Sequence, residues 1–486
     1  MSISSAMASA MSGLTATGRT AEIISNNIAN ALTDNFGRRE LNLSSNVLDG
    51  YGAGVRVGAM TRAEDVVATA SRRAMETLAN YDDRTGATAA RITTSLGAPG
   101  EPGSLPEIFV AFESAITAAS NNPSSQTHLN NAVARATEVV AALQRQSQDN
   151  MQIRMDADAE IGRQVEKVNN NLLEIERLNV EIRKRYRSPS DIAGLQDAQQ
   201  RLIDEIATVI PIKVAKRDLG EVALFTPTGG VLLDGSPRLL DFSTTPMITH
   251  AMTVGNGAIS GLGQNGIPVA IGGGGGFFDG GSLSALFETR DIVVPGHNAQ
   301  VDALARDLVE RFQNPAVDPT LLPGDPGLFT DAGAAFNVAN ELGLAARISV
   351  NAAADPAQGG ASWRLRDGLN AVAQGDVGQN AILRNLENAL TSTTVPGPNL
   401  GISTAQSASG YAADLTAQRF ADQATVDQRI AYSSSQLASL KSVESSSIGV
   451  DSDEQLQRLL ETEKAYAANA RVISTLDGLL DQLLRI

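Results

Sequence analysis

The chain has 486 residues and a mass of 50.7 kDa, room for roughly three domains of about 150 residues each. It carries 38 basic and 54 acidic side chains, a net charge of −16, which argues against a basic nucleic-acid face. The absence of cysteine removes disulfides, thiolate metal sites and cysteine nucleophiles, and 4% aromatic content suits a deep aromatic pocket poorly. His128, His250 and His297 show no metal-ligand spacing, and neither a Gly-x-Ser-x-Gly elbow nor a Gly-Lys-Ser/Thr phosphate loop occurs. No catalytic, cofactor-binding or metal-binding residue is therefore assigned. No apolar run approaches the ~18 residues of a membrane helix. The first residues lack the basic and apolar stretches of a cleaved signal, so neither membrane insertion nor a cleaved signal peptide is expected.

Residues 2–32 carry a heptad seam. Ile3, Met7, Ala10, Leu14, Thr17, Ala21, Ile24, Ile28 and Ala31 alternate in steps of 4 and 3, with Ser2 as a candidate cap. An ordinary amphipathic core helix would show the same pattern. Gly13 and Gly18 each cost about 1 kcal/mol relative to Ala. The larger seam side chains return about 2 kcal/mol each when buried. The helix is thus expected to be stable when docked and frayed when free.

A long helix is predicted over residues 127–182, with Ile161, Val165, Val168, Leu172, Ile175, Asn179 and Ile182 at heptad spacing. Arg183, Lys184, Arg185 and Arg187 follow as a solvated last turn favoured by the helix dipole. Ser188-Pro189-Ser190 breaks the chain, residues 192–210 return as a second helix, and Pro211 ends it.

Residues 212–290 change character. Short strands are predicted at 212–214, 222–225, 231–233 and 268–271, separated by Thr228-Gly229-Gly230, Asp234-Gly235 and the glycine run 272–276. That run lacks a following lysine and is a flexible turn rather than a phosphate cradle. Helix resumes over 283–313, and a Pro/Gly-rich stretch covers 314–327. Strands are predicted at 347–350 and 363–365, and helix from 378 to about 440, interrupted at 395–398.

The other end mirrors the first. Val472, Leu476, Leu479, Leu483 and Ile486 form a second seam, continued upstream by Leu456, Leu459, Tyr466, Ala470 and Ile473 on a slightly shifted line. The expected fold is mainly α with β inserts. It is an elongated rod whose terminal helices pair as a coiled coil, with a central long-helix domain and a small outer β domain at the end away from the termini. The expected division is 1–62 with 442–486 as the terminal coiled-coil domain, 63–211 with 283–316 and 376–441 as the helical rod, 212–282 as the β domain and 317–375 as an irregular or β insert of the outer region.

Ser25-Asn26-Asn27-Ile28-Ala29-Asn30 resembles the S-N-N-I-A-N signature of bacterial flagellar axial proteins. Three further segments resemble one branch of that group, the hook-associated proteins of the hook–filament junction: GLQDAQQRLIDEIATVI at 194–210, GSLSALFETRD at 281–291 and EKAYAANARVISTL at 463–476. The resemblance covers both ends and internal segments in order. It departs after the signature, where Asn35-Phe36-Gly37-Arg38 stands in place of a Gly-Tyr-x-Arg turn, and the region after Phe312 matches poorly.

The resemblance implies a structural, non-enzymatic subunit of the extracellular flagellum, exported unfolded by the flagellar type III system and assembling with its own copies. It implies the hook protein, a second junction protein and a chaperone on the C-terminal helix as partners. The assembly interface would comprise Ile3, Met7, Leu14, Ile24, Ile28, Tyr466, Val472, Leu476, Leu479, Leu483 and Ile486. Asn26, Asn27 and Asn30 share a helix flank, either as interface amides or as a solvated polar edge. The alternatives are another axial protein, a hook or distal rod subunit, or a flagellum-associated wall hydrolase. The hydrolase would need two placed carboxylates; Asp156, Asp158 and Glu160 are expected on an exposed helix face instead.

Overall fold

A computed structural model describes residues 3–33, 36–48, 51–186, 192–272, 276–395 and 397–484. Ser2, Arg187, the Ser188-Pro189-Ser190 break, residues 273–275 of the glycine run, Asn35, Pro396 and Ile486 lie outside them.

The chain starts with α1 (Ile3–Ala29), followed by a hairpin of β1 (Arg39–Leu48) and β2 (Tyr51–Arg62). Helices α2 (Val66–Leu96), α3 (Leu105–Asn121), α4 (Gln126–Arg185) and α5 (Ala193–Val209) follow. At 1.5 Å per residue, the 60-residue α4 is about 90 Å long and forms the spine. Helix α2 runs antiparallel to it, since Ser95 meets Gln146 while Arg84 meets Glu160 farther along α4.

The small strands β3 (Lys213–Lys216), β4 (Val222–Phe225), β5 (Val231–Asp234) and β6 (Ser236–Pro237) form one antiparallel sheet. β7 (Leu240–Asp241), β8 (Gly263–Gln264) and β9 (Ile267–Pro268) form another, in which Asn265 (φ 51°) and Gly266 (φ 78°) make the tight turn that positive φ allows. Helix α6 (Gly281–Glu288) passes through a π-helical turn at Thr289–Val293 into α7 (Val294–Phe312). The next segment holds β10 (Phe329–Asp331), α8 (Leu344–Arg347), β11 (Ile348–Val350) and α9 (Arg364–Asp367). α10 (Ala381–Thr391), α11 (Ala408–Ile448) and α12 (Ser452–Leu484) complete the chain.

Two cores share α4. The first joins its N-terminal half to α3, α7, α10, the start of α11 and the segment from Leu321 to Leu369. Phe112, Phe312 and Phe329 pack there with ring centroids 5.2–6.1 Å apart. The second core joins the C-terminal half of α4 to α5, α6 and the small strands. Side chains from Leu321 to Leu369 thus contribute to the first cluster.

Four sequence expectations change. Residues 363–365 form part of a helical turn ended by Gly368 (φ 104°), because three residues fit either periodicity. Of 268–271 only Pro268 is in a strand. The break is longer than 395–398: α10 ends at Thr391 and α11 starts at Ala408. The β layer is not at the end away from the termini. It lies against the C-terminal half of α4, where Asn179 bonds Val222, and beside the hairpin's exit, where Lys216 pairs with Glu64. The reason is direction: α2 leads away from the termini, so α4 leads back.

Candidate assembly interface

Helix α1 packs lengthwise against α12 and lies on the β1–β2 hairpin. The α1 seam faces these partners: Ala10 and Ile24 are buried, and Ile3, Met7, Leu14, Thr17, Ala21 and Ile28 are half-buried. Small residues permit close approach. A Cβ on Gly13 would lie 2.8 Å from Asn469 Nδ2 of α12. A Cβ on Gly54 (φ 95°) would lie 2.0 Å from Ser12 Oγ, which instead accepts the Val55 N–H at 3.0 Å.

The α12 side differs from expectation. The residues turned toward α1 and the hairpin are Gln455, Leu459, Thr462, Asn469, Ile473 and Leu476. Of the expected seam Leu476 is among them, with Leu459 and Ile473 from its upstream continuation. Val472 (46% exposed), Leu479 (45%) and Leu483 (58%) face outward, as do Leu456, Leu460 and Tyr466. Helix α12 therefore leaves large apolar side chains open on both flanks of the face it uses within the chain.

The three signature asparagines separate. Successive residues lie 100° apart on a helix, so Asn26 points to solvent while Asn27 is buried at 1% exposure. Asn27 Nδ2 donates to the Arg39 carbonyl (2.9 Å) and to Gln455 Oε1 (3.1 Å), and its Oδ1 accepts the Arg39 N–H (2.9 Å). It ties α1, β1 and α12 together inside one chain. Asn30 Nδ2 donates to the Asn26 carbonyl and helps finish α1.

Residues unmarked by the sequence reading hold this unit to the rod. Asp197 on α5 accepts from Arg62 Nε (2.7 Å), Arg39 Nη2 (3.4 Å) and the Gly37 N–H (3.4 Å). Two helical turns on, Asp204 accepts from Arg72 Nη2 (2.7 Å) and Arg73 Nε (2.6 Å) of α2. Arg72 also meets Glu76 and, on α11, Glu444. Phe36, standing where a tyrosine was expected, lies 5.0 Å under the Arg39 guanidinium.

The carboxylates weighed for hydrolysis do different work. Asp156 is a surface partner of Arg91. Asp158, expected to be exposed, is 1% exposed and pairs with fully buried Arg290 at 2.6 Å, because α6 and the loop after β7 cover that face of α4. Arg290 also bonds the Ser260 carbonyl and Asp291, and its guanidinium lies 4.9 Å from the Phe287 ring centroid. This cluster anchors the β layer. Among the described residues, no group of three or more His, Asp or Glu could hold a metal ion.

Residues 89–327 match the family described as the flagellar hook-associated protein FlgK helical domain, and residues 443–486 match the C-terminal family of flagellar basal body rod FlgEFG proteins. Over residues 89–327, just under half of its length, the chain is similar to the FlgK-type hook-associated proteins. The FlgK match spans α3 to α7 and includes both quoted internal segments, with Asp197, Asp204, Arg290 and Asp291. The second match covers the end of α11 and all of α12. No curated protein matches this chain. Among solved structures, the flagellar hook junction protein FlgK from Burkholderia pseudomallei is 18% identical, over 54% of this chain and 47% of that one, with a TM-score of 0.43. The match thus spans about half of that relative's length.

Proposed function

We propose that the chain is a structural subunit of the junction between flagellar hook and filament, and that filament attachment requires it. The observation that carries this reading is the number of large apolar side chains left open along α12. A helix already paired with α1 still presents Leu456, Leu460, Tyr466, Val472, Leu479 and Leu483 to solvent, and exposed apolar side chains gathered on one element mark an interaction site. In an axial tube those residues would meet neighbouring copies. Identical chains forming a tube need head-to-tail contacts, since a two-fold contact closes on itself. The hook protein below, a second junction protein above and an export chaperone on α12 are the partners this role entails. The site of action is then extracellular, reached by type III export of the unfolded chain; lack of cysteine keeps that chain free of cross-links.

The match of α12 to the FlgEFG family favours one second reading, a hook or distal rod subunit. Gold-labelled antibody against this protein, viewed on isolated flagella, decides between them. The expected label is a single zone at the distal hook end, and a deletion strain should keep its hooks and shed filament subunits into the medium. Label along the hook or within the rod, or a deletion strain without hooks, overturns the junction assignment.

A further inference from the structure

Three chain crossings make the joint between the terminal unit and the rod: the approach to β1, the exit from β2 and the α11–α12 break at Gly449. Backbone bonding there is sparse. The Arg38 N–H donates to the Ile448 carbonyl and the Ala63 N–H to the Arg38 carbonyl. Ser447 Oγ donates to Asp65. Neither large core contains a residue of α1, the hairpin or α12. The two large apolar cores therefore do not set the angle between the two bodies.

Besides Lys216, which pairs with Glu64 at the hairpin's exit, one rod side chain reaches both strand ends. Helix α5 is fixed there by buried Ile203, Ile206 and Val209 and by Asp204. Its Asp197, seven residues earlier and so on nearly the same face, extends to the hairpin's base and collects donors from both strand ends. Gly37 is shaped for this. A Cβ there would sit 2.5 Å from Arg62 Nε, so a side chain would push the guanidinium off its path to Asp197.

We infer that Asp197 is the positioning residue of this joint, fixing the angle at which the α1–α12 pair leaves the rod. Head-to-tail contacts between identical chains recur only if every copy presents the same angle. The inference rests on the assembly reading for its purpose but not for its test.

The absence of cysteine makes the test clean. Ser44→Cys on β1 and Glu166→Cys on α4, both exposed, carry spin labels in the full-length chain, and electron–electron dipolar spectroscopy reads their separation. The parent should give one narrow distance distribution. Asp197→Ala should broaden or shift it while the rod's melting transition stays in place, and Gly37→Ala should do the same from the other side of the contact. If Asp197→Ala fails to fold, Gly37→Ala and the milder Asp197→Asn decide. A distribution as narrow and as centred as the parent's in these variants overturns the latch. Antibody labelling of flagella tests the junction role separately, so the failure of one is not the failure of the other.

Discussion

Replacing Ile24 with Asp should undock α1 from α12 and leave the rod folded. Ile24 is 3% exposed and is the one large apolar side chain of α1 that is fully buried; the other buried positions are Ala10, Ala16 and Asn27. Withdrawing it forfeits about 2–3 kcal/mol of burial. A carboxylate in its place costs several kcal/mol more, or takes up a proton at about 1.4 kcal/mol per unit of pKa shift. A total near 5 kcal/mol matches the roughly 5 kcal/mol that two buried alanines and the half-buried Ile3, Met7, Leu14 and Ile28 together supply, so the docked helix loses its margin. The rod has no core residue from α1 or α12, so its stability does not depend on the pair. Hydrogen exchange read by mass spectrometry should show lost protection across α1 and α12 and unchanged protection along α4. Cells carrying the variant should build normal hooks and lose filament subunits to the medium. Parent-like protection of α1, or firmly attached filaments, would refute the argument that this seam is the joint.

Asp158→Ala strips fully buried Arg290 of one carboxylate and orphans the Thr245 N–H, which donates to Asp158 at 2.6 Å. Since Asp291 stays in place, the expected loss is about 3 kcal/mol, at the low end for a broken buried pair. Exchange protection of β4 and β5 reads it, and a loss below about 1 kcal/mol would show that Asp291 neutralises Arg290 alone. His297 is 1% exposed, and burial, aided by the Arg419 charge, lowers its pKa to about 3. The unfolded chain gains a proton near pH 6.5 that the folded chain refuses. Stability should therefore fall as pH drops through that window, by about 3 kcal/mol between pH 6.5 and 4. Urea titrations should find a shallower fall in His297→Gln, and equal slopes would reject the assignment. Leu476→Asp with Leu483→Asp should abolish chaperone capture of α12 in pull-down with the purified export chaperone; undiminished capture moves that site elsewhere.

Much of the architecture is local and was legible. The seam of α1 is spaced so that one register turns all of it toward α12 and the hairpin, and α4 was bounded to within a few residues because its apolar period persists for many turns. β4 was bracketed by glycine turns. Helix α2 was not legible individually, since its inward face carries Arg72, Arg73, Thr77, Asp82, Thr88 and Thr93, which leave no apolar stripe to count. Missing it reversed the running direction of α4 and displaced the β layer to the wrong end of the rod. The hairpin did carry a signal, Asp49-Gly50 between alternating segments, that can now be recognised.

What the amino-acid sequence determined by itself was the family resemblance, through short segments whose residue order survives, and the presence of apolar seams at both ends. What only the tertiary structure decided was which side chains those seams employ. On α12, Leu476 shares one 4-3-4 line with Val472, Leu479 and Leu483, so spacing cannot say which of them is covered. Contact with Gly13, Asn27 and the hairpin covers Leu459, Ile473 and Leu476 and leaves Val472, Leu479 and Leu483 open. The same holds for charge. Nothing in the order of residues distinguishes Asp197 on its joint, or Asp158 beneath its β layer, from carboxylates in water, because a partner distant in sequence becomes a neighbour only when the helices cross.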